Sequence, residues 1–297
     1  MTSIRSVIGS LLGEKRKRRI RTQLNGIRRV WAKHFRRYGG AELQAALSRL
    51  GVAPTDTLLV HANFRVDSGF QGTPNDIVTA LIGVVGTHGN LLMVSQPFRG
   101  YALDHLAKGK KFDVRRTVSM MGLITEMFRR RDGTRRSLHP THPVLALGID
   151  ADALTAGHQD CQYPCGEGTP FEKLRSKHAK ILFFDVGTGA NTFFHHVEDI
   201  LRDELSFPLY DSRLFTIEVI DVAGKPHHVR TYAFARGISR NTALLEAELS
   251  ERGLVKSETI GNSRLILVTA NDVLDVMTDL IKSGQPLIGA PKNGASQ

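Results

Sequence analysis

Between residues 57 and 94 the chain passes from a short apolar run to a helical period and back, and no other feature restricts its fold as much. Thr57-Leu-Leu-Val-His61 is too short for a helix and reads as a buried strand. Asn75–Val85 sets Ile77, Ala80, Leu81 and Val84 on one helical face, and Leu91–Val94 is a second short apolar run. Alternation of this kind requires a sheet packed between helices.

The same periodicities predict helices over Ala41–Leu50, Met120–Arg130, Asn191–Asp203 and Asp272–Ile281. They predict strands over Val144–Leu147, Ile181–Asp185 and Leu265–Thr269. Ile217–Val222 and Val229–Ala235 alternate around Ala223-Gly224-Lys225 as a late antiparallel hairpin. The expected class is therefore α/β, a central mixed sheet flanked by helices with that hairpin, without repeats and without a second core.

Charge divides the chain unevenly. Residues 1–40 hold twelve of the 40 Lys and Arg but only one of the 29 acids, Glu14, so they carry the whole net charge of +11. The remaining 28 bases and 28 acids cancel, and a neutral body has no electrostatic reason to bind nucleic acid. Ile4, Val7, Ile8, Leu11 and Leu12, then Ile20, Leu24, Ile27 and Trp31, repeat at helical spacing within this basic segment. The expected division is a basic amphipathic helical segment at 1–38 followed by one enzyme domain at 39–297. Such a helix docks on its own body, on a partner, or on an anionic membrane surface. No apolar run reaches the ~18 residues of a membrane span. Two cysteines and no secretory pattern favour the cytoplasm, with peripheral attachment at its membrane face as the variant.

Several segments carry chemistry. Asp185-Val-Gly-Thr-Gly-Ala-Asn-Thr-Phe-Phe-His-His-Val-Glu198 runs from a strand end through a glycine-rich turn into a helix, with His195 and Glu198 as i, i+3 neighbours. A carboxylate beside an imidazole orients it and suits a general base, although an isolated pair at this spacing is more often a surface ion pair. His139 and His142, with Cys161 and Cys165, give an H-x2-H…C-x3-C pattern that matches no standard zinc finger, so no metal is expected. Nothing adjacent to either cysteine would lower its pKa for nucleophilic work.

Taken in order, these segments resemble the aminoglycoside 3-N-acetyltransferase family over roughly residues 40 to 285. Leu59-Val-His-Ala-Asn63 is similar to a family Val-His-Ser-Ser stretch, and Gly86-Thr-His-Gly-Asn-Leu-Leu-Met93 to Gly-x-x-Gly-Thr-Leu-x-Met. Phe112–Gly122 with Glu126 follows, then Arg136-Ser-Leu-His-Pro140, Gly148 and Gly166-Glu-Gly-Thr-Pro170. Thr192-Phe-Phe-His195-x-x-Glu198 resembles the family's Thr-x-x-His-x-x-Glu, and Ile260-Gly-Asn-Ser263 its closing turn. The departures are Ala62 and Asn63 in place of serines, Pro143 in place of serine, and an irregular Ser95-Gln-Pro-Phe98.

The resemblance implies acetyl transfer from acetyl-CoA to an amine, without a metal. His195 would be the base and Glu198 its orienting carboxylate. His61, Ala62, Asn63, Ser119, Gly122 and Thr169 would face CoA, and His139, Glu126 and Asp185 the acceptor. Drug-modifying members need acidic surface to attract polycations. The neutral body therefore favours an anionic amino-sugar acceptor, as in cell-surface polysaccharide or glycolipid synthesis, over an aminoglycoside antibiotic. A non-catalytic CoA-binding or scaffold protein is the third alternative, against which the intact His195/Glu198 pair argues. Homo-oligomer formation is left open.

Overall fold

In the computed structural model the described residues are 34–291, so the amphipathic helices expected before residue 34 lie outside them. The described chain opens with α1 (Gly40–Leu50), β1 (Thr57–Ala62), α2 (Pro74–Val85) and β2 (Asn90–Val94). Next come α3 (Ala102–Leu106), β3 (Phe112–Asp113), α4 (Leu123–Arg129), β4 (Arg135–Arg136) and β5 (Val144–Gly148). After α5 (Ala151–Thr155) and α6 (Pro170–Ser176) the chain enters β6 (Lys180–Phe184) and α7 (Phe194–Ile200). The hairpin β7 (Phe215–Ile220) and β8 (Pro226–Thr231) precedes β9 (Ser239–Arg240) and α8 (Thr242–Glu251). The last elements are β10 (Lys256–Ile260), β11 (Ser263–Thr269), α9 (Ala270–Lys282) and β12 (Ile288–Gly289).

Local chemistry sets the helix starts. Thr73 accepts from the Asp76 N–H while the Asp76 carboxylate takes the Thr73 N–H, a capping box followed by Pro74 at the first helical position of α2. Thr269 caps α9 more simply, its hydroxyl accepting the Asp272 N–H.

Seven strands form the main sheet in the order β10-β11-β6-β1-β2-β5-β4. β6, β1 and β2 run parallel, while β11 and β5 flank them antiparallel, so the expected mixed sheet is present. Residue parity on β1 assigns its two faces. Leu58 and Val60 pack with α1, α2 and α4 residues such as Leu47, Leu81 and Phe128. Leu59 packs on the opposite side with Phe171, Phe194, Val273 and Met277 from α6, α7 and α9.

The expected antiparallel hairpin forms, but outside the main sheet. It joins β3 in a separate three-stranded sheet, and Phe112, Val114, Val219 and Val229 form a small cluster of their own, correcting the expected lack of a second core. Its alternating burial is the physical reason. Ile217, Val219, Val229 and Thr231 are buried between more exposed neighbours, whereas β1 is covered on both faces.

Tyr38, the last residue of the expected basic segment, packs into the body. It is buried, its N–H donates to the Gly69 carbonyl, and its hydroxyl lies 2.5 Å from Ser263 Oγ. Burial pushes this phenol up to about 12. The enzyme body thus includes Tyr38. Tyr38→Ala should cost about 3–5 kcal/mol, the range for truncating a large buried aromatic. Urea denaturation measures this, and an unchanged midpoint would return Tyr38 to the basic segment.

Candidate active site

Because β1, β2 and β6 run parallel, their carboxyl ends share one edge of the sheet, where open α/β sheets usually bind ligands. The chain leaves β6 through Asp185, which holds a left-handed φ of 55° that few non-glycine residues adopt. Its carboxylate accepts from Ser263 Oγ at 2.7 Å and from the Arg264 N–H at 3.1 Å, locking the turn to β11. Asn191 then accepts the Phe193 N–H, and buried Phe193, Phe194 and Val197 seat α7 against the sheet.

Seating α7 this way leaves His195 partly exposed and carries Glu198 into the interior. Glu198 is wholly buried. One carboxylate oxygen meets His195 Nδ1 at 2.7 Å and the other meets Arg240 Nε at 2.6 Å. Without the arginine, a buried carboxylate would be costly to hold ionised. Arg240 comes from β9, pinned by pairing with Ile288 of β12, and its guanidinium lies 5.5 Å from the centre of the Phe234 ring. The bond at Nδ1 assigns the proton of neutral His195 to that nitrogen. Its Nε2 makes no hydrogen bond to the described residues.

The His195 ring stands 4.8 Å from Phe234 and edge-on to His142 at 6.0 Å. Burial, with the positive charge of a protonated His195 second, holds the His142 pKa well below its ordinary value, so His142 is neutral. Thr141 Oγ1 lies 3.0 Å from His142 Nδ1.

The other expected site residues separate into two groups. Ala62, Asn63 and Gly122 lie together at the sheet edge, where a Cβ on Gly122 (φ 113°) would stand 3.9 Å from the Ala62 carbonyl oxygen. His61 is buried beneath them, stacked on Phe183 and facing the Thr192 N–H at 3.4 Å, and burial lowers its pKa to about 4.

The second group is committed to the protein's own structure. Thr169 is fully buried and donates to the Gly166 carbonyl. Ser119 donates its N–H to Glu126, and its hydroxyl accepts from Met121 N–H. Glu126 is saturated by that bond and by Arg129 and Arg130; burial would raise its pKa, yet these partners hold it down to about 2. His139 is fully buried and stacked on His158, and the Asp185 carboxylate is 1% exposed. His139, Glu126 and Asp185, expected at the acceptor, are thus each buried and engaged by the protein's own groups in this conformation.

Burial raises the Cys161 thiol to about 11 and lifts Cys165 well above its ordinary range, so neither is a thiolate at neutral pH. No group of three or more His, Cys, Asp or Glu positioned to hold a metal occurs among the described residues. The sequence reading missed Arg240, which a two-residue strand without detectable periodicity delivers, and gave Phe234 no role within the expected strand Val229–Ala235. It noted His142 only as a candidate zinc ligand.

Fold and site together are those of an α/β acyltransferase. The profile described as aminoglycoside 3-N-acetyltransferase matches residues 59–282. The chain belongs to that family. It is 28% identical over 189 residues to aminoglycoside N(3)-acetyltransferase III of Serratia marcescens, covering 60% of this chain and 68% of that one. A type III relative from Salmonella is 28% identical over 167 residues, which cover 52% of this chain and 58% of the relative. Among solved structures, AAC-IIIb in binary complex with CoASH superposes with a TM-score of 0.69 at 23% identity, covering 84% of this chain and 97% of that one. Sisomicin-bound AAC-VIa gives 0.70 at 22% identity, with 84% and 99% covered.

Proposed function

We propose that this protein transfers the acetyl group of acetyl-CoA to an amine of an aminoglycoside, with His195 as the base. The observation that carries the reading is the Glu198 carboxylate, buried between His195 Nδ1 and Arg240 Nε, which leaves His195 Nε2 free. A protonated amine has no lone pair with which to attack a thioester. In this mechanism the acceptor nitrogen attacks the thioester carbonyl carbon and its proton passes to His195 Nε2. The imidazolium so formed is stabilised by Glu198, as a buried carboxylate stabilises the imidazolium of a catalytic triad. Collapse of the tetrahedral adduct breaks the C–S bond, and the departing sulfur takes the proton. The products are the N-acetylated amine and CoA with its free thiol.

The open backbone at Ala62, Asn63 and Gly122 supports the thioester end of CoA lying along the sheet edge. For the acceptor, the names of the relatives favour an aminoglycoside over the anionic amino sugar expected from charge balance. Total charge is a poor guide to a cleft, because attraction depends on where the charges sit. Here the turn after α7 exposes Asp203 and Glu204, two carboxylates suited to an ammonium-bearing ligand.

A thiol-release assay with acetyl-CoA should register turnover with aminoglycosides and little or none with nucleotide-linked amino sugars. The reverse preference would restore the polysaccharide reading, and no release with any amine would favour the non-catalytic one.

A further inference from the structure

Apart from the residues around His195, α4, β4, α5 and the β7–β8 turn line a solvent-open cavity of about 1070 Å³, room enough for a nucleotide. Five arginines line it, Arg115, Arg129, Arg130, Arg135 and Arg136, against two carboxylates, Asp152 and Asp221. Both carboxylates already have partners. Asp152 is paired with Arg135, and Asp221 with His227 and the N–H groups of Ala223 and Lys225. Glu126, just behind the wall, is held by Arg129 and Arg130. Five guanidinium groups against these three carboxylates still leave an excess of two positive charges.

Two of the five arginines have no carboxylate partner among the described residues. The Arg115 guanidinium makes no hydrogen bond or ion pair with the described residues. Arg136 lies largely buried on the Phe112 ring at 4.5 Å, and its Nη atoms donate only to the carbonyls of Ser95, Val114 and Thr117. No carboxylate among the described residues lies within ion-pair distance of Arg136, and its Nε has no partner. A buried cation with neutral partners leaves a positive field that an anion in the cavity would relieve. Beside the guanidinium groups stands an apolar wall that includes Leu138 and the highly exposed Val222.

We propose that this cavity binds a nucleotide, its phosphates on Arg115, Arg130 and Arg135 and its base against Leu138 and Val222. Guanidinium forks match phosphate oxygens, and the Nη atoms of Arg130 and Arg135 remain available because their ion pairs use Nε. The nucleotide is either a separate ligand or the nucleotide end of CoA itself. Arg136 and His142 are six residues apart, so at most about 20 Å separates them. One extended CoA molecule can bridge that span, and this variant rests on the acetyltransferase reading.

Calorimetric titration of the full chain with ADP, adenosine bisphosphate and CoA tests the assignment. At least one nucleotide should bind, with affinity falling steeply as salt rises. The R115A/R135A pair should weaken that binding by about tenfold or more, and R115K/R135K should recover part of it. Both arginines are exposed, and matching thermal transitions would verify that the variants fold. Competition between the probe and CoA would assign the cavity to the cofactor's nucleotide end. Binding of the probe to CoA-saturated protein would assign it to a separate ligand. The proposal is overturned if no nucleotide binds, or if the alanine pair leaves every affinity unchanged. Titration needs no turnover, so nucleotide binding by a protein that transfers no acetyl group would remove the proposed activity and leave the cavity assignment intact.

Discussion

His195→Ala should lower kcat by about 10²–10⁴-fold, the usual contribution of a positioned general base. The imidazole touches the crevice only with its ring, so acetyl-CoA affinity should hold within a fewfold, giving a loss in kcat with little change in KM. Glu198→Gln supplies the companion measurement. The amide keeps the volume but removes the charge between His195 and Arg240, leaving a buried guanidinium without its carboxylate. It should reduce turnover less than the alanine change while lowering stability, because Glu198 acts through His195. A His195→Ala enzyme that retained most of its turnover would remove His195 from the role and direct attention to His142, which stands 6.0 Å away.

Acidification should destabilise the protein sharply between pH 6.5 and about 4, before most carboxylates titrate. Burial lowers the pKa of His61 to about 4 and of His158 to about 3, and it drives His139 and His142 well below 6.5. Each folded-state value lies beneath the unfolded one, so the unfolded chain binds more protons in this window. Stability therefore rises with pH and is lost as pH falls from 6.5. His61 alone accounts for about 3 kcal/mol over the window. Glu126, held near 2, adds a second loss as pH drops below its ordinary range, while burial raises Asp185 and Asp199 and partly offsets it. Urea midpoints measured from pH 7.5 to 4.5 should fall steeply. A flat profile would mean that these imidazoles become hydrated without unfolding.

The alternating segments were legible because burial writes itself into sequence. Leu58 and Val60 face one layer and Leu59 the other, so β1 had to be an interior strand. The reading missed the ten-residue α8, where only Leu245 and Leu249 are buried and no broad apolar stripe shows, and it missed elements too short to show a period. β3, β4, β9 and β12 have two residues each, and α5 and α6 only five and seven.

For the site, the spacing of His195 and Glu198 placed them on one helical face whatever that helix packed against, so the sequence by itself determined the pair. It equally determined the interior strands and the concentration of charge before residue 40. Whether the pair was a solvated ion pair or one anchored on a buried carboxylate depended on contacts from distant parts of the chain. Arg240 is 42 residues beyond Glu198, and only the pairing of β9 with β12 delivers it. Burial of His139, saturation of Glu126 and formation of the arginine-lined cavity depend in the same way on packing between separate elements. Periodicity records which face of a segment is buried, but charge neutralisation and access are properties of neighbours, and only the tertiary structure chose them.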